Sequence, residues 1–471
     1  MKTTDDLQRT LPWKDNIGYS MGNLGSNLIF AMITFHMLYF YTDIMGISAA
    51  AVGVLFLVAR IWDAVNDPIM GSIVDKTHTR WGKFRPFIIV GIVPCAIVYT
   101  LTFYTPDLGH TGKVIWAFAT YIPLGMIVTS INIPYHAQTT IMSKNPIERT
   151  EIGTVSNITA LLATLVVAAA TLPLIGLFAT PQAGFTWITA LYGTLMIACY
   201  TITFIVTKRY DLPASEKPLE RTAANFFTLK QKIRVLTQNR PLIALMFGYL
   251  FFQIGTSITA STAIYFFKYY LRMESLYPPF MGLFLIMMTT GMLIVPKLSK
   301  KMGKKKLFQI SNLLATFSLL APIVIFPFIR ANDTKQLIFL GGLAGIVVLF
   351  GAFWNGPVVA LVWGMIPDTV EYAELKVGIR SEGLIFALLS FMMKAGLALG
   401  GAITGAVLMM IDYVPNQVQN EKTLFGLLIL CSLLPFVIRL MTNMVMKYYT
   451  LSEGEFQRIV VKLEEQRTLA N

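Results

Sequence analysis

The sequence predicts an all-α membrane protein with twelve transmembrane helices. Only 13% of its residues are charged and 55% are hydrophobic, and the mean hydropathy is +0.62. Soluble domains usually carry about 25% charged residues, so a soluble chain is excluded. The apolar residues fall into blocks of about twenty, the length that a helix rising 1.5 Å per residue needs to cross about 30 Å of hydrocarbon.

Twelve such blocks follow one another along the chain. Their predicted bounds are 17–41, 52–73, 87–105, 114–137, 155–178, 185–206, 242–267, 278–296, 307–328, 337–364, 383–411 and 424–446. The first block is longer than a signal-peptide core and no small-residue cleavage pattern follows it, so it is predicted to remain as a helix. The polar stretch 207–241 is predicted to be a cytoplasmic linker between two six-helix bundles, 1–206 and 242–446, with a cytoplasmic tail over 447–471.

The net charge of +13 is explained by the loops. If the N-terminus is inside and the chain crosses twelve times, 29 of the 38 lysines and arginines fall in inner segments and six in outer loops. Inner loops of membrane proteins carry this excess of basic residues, so both termini are predicted to be cytoplasmic. The basic residues are spread over every inner loop, so no nucleic-acid partner is expected.

Residues that carry enzyme chemistry are scarce. Cys95, Cys199 and Cys431 lie far apart inside apolar blocks, where neither a disulfide framework nor a zinc spacing is available. The chain has four histidines and contains no nucleophile elbow, zinc-protease motif or phosphate loop. Neither an enzyme nor an ATP-driven pump is therefore expected.

A basic, glycine-containing loop occurs at corresponding places in the two halves. It lies over 71–85 between predicted helices 2 and 3, and over 297–306 between predicted helices 8 and 9. Recurrence six helices later indicates an internal repeat, which is the plan of major-facilitator transporters.

Ionisable residues inside predicted helix 2 mark a candidate site, because each costs about 2.5–3.5 kcal/mol at mid-bilayer. Arg60, Asp63 and Asp67 are three or four residues apart and share one helical face, with Asn66 adjoining. These oxygens suit a sodium ion, or one carboxylate can hold a proton. The alternative is an internal Arg60–Asp63 ion pair that only joins helices. Function is favoured because the second acid exceeds what one arginine neutralises.

Thr129 and Lys394 are candidate partners of this face. Thr129 lies about fifteen residues down helix 4, the same depth as Asp67 in helix 2, so its hydroxyl can add a ligand; otherwise it bonds to its own helix. Lys394 stands about thirteen residues from the inner end of helix 11, too deep to reach water freely. We expect it to pair with the helix 2 acids, and a purely structural lysine–acid bridge is the alternative.

A charged run follows the apolar part of helix 10. It includes Asp368 and Glu371 and continues to Arg380. Acids and bases this close to a basic inner face are predicted to form ion pairs between the two halves, which close the cytoplasmic side in one conformation. A solvated charged loop is the alternative.

Five motifs carry a resemblance to a known family. They are YTD at 41–43, FLVARIWDAVNDPIMG at 56–71, RWGKFRP at 80–86, NIPY at 132–135 and DTVEY at 368–372. With them, essentially the whole chain resembles the glycoside-pentoside-hexuronide:cation symporters, which include the melibiose, glucuronide and xyloside carriers. The resemblance implies a major-facilitator fold in the cell (cytoplasmic or inner) membrane and uptake of a sugar by alternating access. It also implies a co-transported H⁺ or Na⁺ without further cofactor, and function as a monomer.

The resemblance implies roles for single residues as well. The family's cation site falls on Asp63, Asn66, Asp67 and Thr129, and its helix 11 lysine falls on Lys394. Every one of these residue types is kept, so the resemblance implies an intact cation site.

The sugar site differs from that of the melibiose carrier. Two aspartates, a tryptophan and an arginine of that carrier correspond here to Asn27, Asn132, His136 and Asn157. Amides both donate to and accept from hydroxyls, so sugar binding is expected to survive, and the glucuronide and xyloside carriers are closer at these positions than the melibiose carrier. Asn27 and Asn132 as interhelical hydrogen-bonding residues are the alternative.

The main alternative is a transporter with the same cation site whose cargo is a lipid or other amphiphile. The animal lysolipid symporters, which resemble distant relatives of this chain, are of this kind. Asn27, Asn132 and Gln138 lie along the predicted path. Their polar side chains favour a hydrophilic cargo.

Overall fold

The computed structural model describes residues 11–77, 79–143, 146–211, 236–328, 334–378, 382–451 and 453–470. Every regular element among these residues is helical, and Thr79 and Gly82 form an isolated bridge. Twelve of the described helices are long and apolar enough to cross a membrane. The predicted all-α fold with twelve spans is confirmed.

The spans are numbered 1 to 12 in chain order. Their bounds are Trp13–Ile44, Ala49–Gly71, Arg85–Thr102, His110–Ala137, Glu151–Ile175, Pro181–Arg209, Arg240–Tyr270, Glu274–Leu293, Lys304–Ile325, Phe339–Val377, Leu388–Met410 and Glu421–Met446. A further helix, Glu453–Ala470, follows span 12.

Span 10 departs most from its predicted end at residue 364. It belongs to one continuous helix, Thr334–Val377, which includes Asp368 and Glu371 of the charged run predicted to lie at or beyond its end. The apolar stretch ends where the charges begin, but a helix does not have to end there. Val370 and Ala373 are buried in the core of the second unit. This packing stabilises the helix beyond the apolar stretch, through Pro367 and the charged turns.

Four spans begin with a side chain that caps the helix. Ser48, Thr180, Asn239 and Asn420 each accept a hydrogen bond from the backbone N–H three residues later. Such caps satisfy a backbone donor that the first turn leaves unpaired. They fix where spans 2, 6, 7 and 12 start.

The chain divides into two compact units, Met1–Thr222 and Ala223–Asn471. In the first unit span 1 packs on spans 5 and 6, span 3 on spans 4 and 6, and span 2 on span 4. In the second unit span 7 packs on spans 11 and 12, span 9 on spans 10 and 12, and span 8 on span 10. The two sets differ by six in every span number, which confirms the predicted internal repeat.

The first span of each unit also ends in the same way. Span 1 closes with the π-helical turn Phe40–Ile44 and span 7 with Phe266–Tyr270. The N–H of Met45 and that of Leu271 then each donate to the carbonyl five residues earlier, at 2.8 and 3.0 Å. The repeat therefore extends to the local backbone at the end of these helices.

Asp211, which lies two residues after the end of span 6, anchors the loop between spans 2 and 3. Its buried carboxylate accepts hydrogen bonds from the backbone N–H groups of Lys83, Phe84 and Arg85 at 2.9, 2.8 and 3.0 Å. Gly82 has φ +99°, and a Cβ there would lie 2.4 Å from Cγ of Asp211. Only glycine fits this close approach, and the carboxylate stabilises the N-terminus of span 3.

Candidate functional site

The acidic residues of span 2 lie against span 4. The Thr129 hydroxyl donates to Oδ1 of Asp67 at 3.0 Å. One turn away, a Cβ at Gly125 would lie 3.2 Å from Oδ1 of Asp63, so the missing side chain makes room for that carboxylate. Two acids four residues apart on span 2 thus face two positions four residues apart on span 4.

Arg60 completes the charged part of this site. Its Nη1 lies 2.7 Å from Oδ2 of Asp63, and its Nη2 donates to the Tyr121 hydroxyl of span 4 at 3.4 Å. The ion pair considered from the sequence is therefore present. Asp67 lies a turn further on, so Arg60, Asp63 and Asp67 together carry one net negative charge, which a monovalent cation or a proton can neutralise.

Asn66 adds an amide to the same region of span 2. Its Nδ2 atom is buried and has no hydrogen-bond partner among the residues that the structure describes. A rotation of the amide by 180° keeps its shape and places Oδ1 in that position. In that orientation Asn66 offers a buried oxygen on the same span as the two carboxylates, and its role as a cation ligand stays a prediction.

Asn27 of span 1 is held by a second asparagine, Asn23, one turn earlier. Nδ2 of Asn27 donates to the backbone O and to Oδ1 of Asn23, at 2.8 and 3.1 Å. Nδ2 of Asn23 in turn donates to the backbone O of Ser156 in span 5 at 2.8 Å. Asn23 was not predicted from the sequence, and its spacing of four residues from Asn27 is the signal that could have found it.

Asn132 of span 4 lies beside span 1 and span 6. Its Oδ1 accepts hydrogen bonds from the Ser26 hydroxyl at 3.0 Å and from the Tyr200 hydroxyl at 2.8 Å. Because Ser26 directly precedes Asn27, the structure brings the two predicted sugar-site amides to the same level of the first unit. Tyr200 was not predicted, since a single tyrosine in an apolar span carries no signal of its own.

A reciprocal tyrosine pair fixes the spacing of spans 1 and 4 beside these amides. The rings of Tyr19 and Tyr135 are stacked with centroids 4.5 Å apart. Each hydroxyl donates to the backbone O of the other residue, both at 3.0 Å. A Cβ at Gly22 would lie 2.6 Å from the Tyr135 ring, so glycine allows this contact.

His136 and Asn157, the other two predicted sugar-site residues, are exposed in the first unit. The His136 ring meets the Tyr135 ring edge on, with centroids 5.1 Å apart. Asn157 directly follows Ser156, which accepts the hydrogen bond from Asn23. Each residue thus directly follows a residue of these contacts, Tyr135 or Ser156, and the roles of His136 and Asn157 in binding stay predictions.

Lys394 is half-buried in span 11 of the second unit. Span 11 packs on span 7 through glycines: a Cβ at Gly396 or Gly400 would lie 2.5 Å from the Cβ of Gln253 or Ser257. At 3.6 residues per turn, Lys394 lies about 200° around the helix from Gly396, so its side chain starts from the opposite face. Its pairing with the acids of span 2 stays a prediction.

The predicted gating residues lie in the second unit. Asp368 is buried, and its Oδ1 and Oδ2 accept hydrogen bonds from Nζ of Lys304 at 2.7 and 2.9 Å. Glu371 is half-buried on the same helix, and Arg380 lies outside the described residues. A solvated loop is therefore wrong for Asp368, whereas ion pairs between the two halves stay a prediction.

Comparison with known proteins gives matches over nearly the whole chain. The family described as MFS/sugar transport protein matches residues 18–453. YnaJ, an uncharacterized symporter of Bacillus subtilis, is 34% identical over 96% of this chain and 94% of its own. A glucuronide carrier protein homolog of Escherichia coli is 30% identical, covering 98% and 97%. An isoprimeverose transporter of Lactiplantibacillus pentosus is 31% identical, covering 88% and 84%.

Solved structures show the same fold at low identity. The crystal structure of the nucleoside transporter NupG has a TM-score of 0.61 at 14% identity and covers 93% of this chain and 100% of its own. A bacterial homolog of the human lysosomal transporter Spinster has a TM-score of 0.62 at 11% identity, covering 95% and 97%. The chain is therefore a multi-pass cell membrane transporter and not an enzyme, and it belongs to the MFS/sugar transport protein family, among the glycoside-pentoside-hexuronide:cation symporters.

Proposed function

We propose that this protein takes up a sugar or glycoside by alternating access, driven by a co-transported Na⁺ or H⁺ that binds at Asp63 and Asp67. The observation that carries the proposal is the pair of carboxylates one turn apart on span 2, with Thr129 donating to the second. The relatives named for a glucuronide and for isoprimeverose support a glycoside as cargo.

The charge of the site supplies the reason for coupling. Two acids and one arginine leave one negative charge inside the membrane, and moving such a charge between the two faces of a bilayer is costly. A bound cation neutralises it. The carrier without a bound cation therefore changes between its outward- and inward-facing states less readily than the carrier with a bound cation. This difference couples sugar transport to the cation gradient.

The amides of spans 1 and 4 suit a hydrophilic cargo. Asn23, Asn27 and Asn132 are all half-buried. Asn27 donates to Asn23, and Ser26, which precedes Asn27, donates to Asn132; these four residues are called the polar network. Such a row of amides and hydroxyls would leave polar groups unpaired against an acyl chain, at a cost of about 1–3 kcal/mol for each group. The network supports a sugar over a lipid or other amphiphile.

Uptake by purified protein in liposomes tests the proposal. Labelled β-xylosides, β-glucuronides and α-galactosides are offered under an imposed Na⁺ or H⁺ gradient, with a lysolipid as competitor. We expect a xyloside or glucuronide to accumulate above its outer concentration under one of the two gradients, and the lysolipid to have no effect. Competition by the lysolipid, or accumulation of none of the three sugars, would contradict it.

Substitution of Thr129 by valine identifies the coupling cation. Valine keeps the shape and removes both the oxygen ligand and the hydrogen bond to Asp67. If Na⁺ is coupled, half-maximal uptake should need about tenfold more Na⁺, because one ligand is lost. If a proton is coupled, uptake by the parent and by Thr129→Val should not depend on the Na⁺ concentration.

The control for this experiment is Thr194→Val. Thr194 is exposed on span 6 and its hydroxyl donates to the backbone O of Ala190 in its own helix at 2.9 Å. It should leave the cation dependence as in the parent. If the parent is Na⁺-coupled and Thr129→Val needs no more Na⁺ than the parent, Thr129 does not belong to the cation site.

We further propose that Lys394 links cation binding to sugar binding, because it is a half-buried ionisable residue inside a span of the second unit, and its side chain starts from the face opposite span 7. Ligands at coupled sites typically change each other's affinity by about 5- to 150-fold. In Lys394→Ala, the increase in sugar affinity that the cation causes should fall from that range towards none. Calorimetric titration of sugar with and without cation measures it. Lys422→Ala, which alters an exposed pair with Asp412, serves as control. An enhancement equal to that of the parent would exclude the linkage.

A further inference from the structure

The orientation of the Asn27 amide is determined by backbone carbonyls. A carbonyl oxygen only accepts, so the atom of Asn23 that faces Ser156 O and the atom of Asn27 that faces Asn23 O must both be Nδ2. Oδ1 of Asn23 then accepts the second N–H of Asn27. Oδ1 of Asn27 is the end that remains, and it accepts no hydrogen bond from the part of the chain that the structure describes. Asn27 therefore presents an acceptor.

Asn132 has the opposite orientation. The Tyr200 hydroxyl is buried, with 2% of the residue exposed, and donates to Oδ1 of Asn132, as does the hydroxyl of Ser26. A buried hydroxyl needs an acceptor for its hydrogen, and Oδ1 supplies one to both. Nδ2 of Asn132 donates to none of the described residues. Asn132 therefore presents a donor.

We propose that the sugar site has a fixed polarity, with a hydrogen-bond acceptor at Asn27 and a donor at Asn132, and that Asn23 and Tyr200 are the positioning residues that set it. This inference rests on the proposed function and specifies how the cargo is oriented. The cargo places a hydroxyl against Asn27. It places an oxygen acceptor against Asn132.

The fixed donor selects among glycosides. A uronic carboxylate accepts a stronger hydrogen bond from Nδ2 of Asn132 than a neutral hydroxyl does. The same carboxylate is repelled by the lone pairs of Oδ1 at Asn27, so an acidic glycoside binds with its carboxylate towards span 4. An acidic glycoside is therefore preferred over its neutral counterpart, and the preference depends on the Tyr200 hydroxyl.

A matched pair of probes tests this. Methyl β-xyloside is methyl β-glucuronide without its carboxylate, so the ratio of their affinities for purified protein isolates the interaction with that group. The parent should bind the glucuronide more tightly. Tyr200→Phe removes one of the two hydroxyls that hold the Asn132 amide in this orientation, and the preference should fall about three- to tenfold. A structural defect alone would weaken both probes equally and leave the ratio unchanged.

Asn132→Asp is the second variant. It retains an oxygen for Ser26 and Tyr200 and replaces the donor by a charged acceptor, so glucuronide binding should fall at least about tenfold more than xyloside binding. Tyr192→Phe is the control, because Tyr192 lies two turns away on the same span and its hydroxyl contacts Thr171 at 3.1 Å. It should leave the ratio at the parent value.

The outcomes separate the two proposals. If the parent binds neither probe and transports no sugar, the proposed function is wrong and this inference falls with it. If the parent binds sugars but prefers the xyloside, or if Tyr200→Phe and Asn132→Asp both keep the parent ratio, the polarity assignment is wrong while the proposed function stands.

Discussion

Replacement of Asp63 or Asp67 by asparagine is expected to abolish accumulation of sugar against its gradient and to leave exchange of labelled for unlabelled sugar across the membrane. Asparagine keeps the size of each side chain and removes its charge. Without that charge the carrier no longer needs a bound cation to change between its outward- and inward-facing states, so the cation gradient no longer drives sugar accumulation. The loss of accumulation should be complete within the error of a liposome assay.

The two substitutions act on different contacts, which strengthens the test. Asp63→Asn removes the charge of the group that lies 2.7 Å from Nη1 of Arg60 and so breaks that ion pair, whereas Asp67→Asn leaves the ion pair in place and keeps an oxygen that can accept from Thr129. A loss of coupling in both variants cannot be assigned to a broken Arg60 pair, because only one of them breaks it. The loss of coupling in both variants would then be due to the missing negative charge, which is the change they share.

Asp107→Asn is the matched control, since Asp107 is exposed between spans 3 and 4. It should accumulate sugar as the parent does. Concentrative uptake at the parental level in both Asp63→Asn and Asp67→Asn would falsify the assignment of the coupling site to span 2, even if the protein still transports a glycoside.

The fold could be predicted because it is determined by local sequence features. Apolar blocks of bilayer length fix the spans. Helical geometry placed Asp67 and Thr129 at one depth and the family resemblance singled out Thr129, whose hydroxyl lies 3.0 Å from Oδ1 of Asp67. Depth is conserved between parallel spans, so a count of residues is enough. The count does not say which faces meet, and it did not predict that Gly125 receives Asp63.

The missing parts of the site depend on contacts between spans that are distant in sequence. Tyr200 is 68 residues from Asn132, and Asp211 is 128 residues from Lys83, and neither pairing has a local pattern. The extension of span 10 through Asp368 was missed for a related reason: hydropathy reports where the bilayer ends, whereas packing against the second unit's core decides where the helix ends.

The second large effect is expected at the amides. In Asn27→Ala the cargo loses the acceptor Oδ1, and in Asn132→Ala it loses the donor Nδ2, so one cargo group in each case is left without a partner inside the protein. Leaving a buried polar group unpaired costs about 1–3 kcal/mol, which corresponds to a loss of affinity of about 10- to 100-fold. Titration of the glycoside that the parent transports measures this loss directly.

Two controls separate lost binding from lost structure. Thr34→Val on span 1 and Ser130→Ala on span 4 remove hydroxyls that donate only to carbonyls of their own helices, at 2.7 Å in each case, and should bind sugar as the parent does. In Asn27→Ala and Asn132→Ala the coupling cation should still raise the melting temperature, because Asp63 and Asp67 are untouched. If both alanine variants keep the parent affinity for the glycoside while that cation effect persists, the amides serve only to join the helices, and the sugar must bind elsewhere in the carrier.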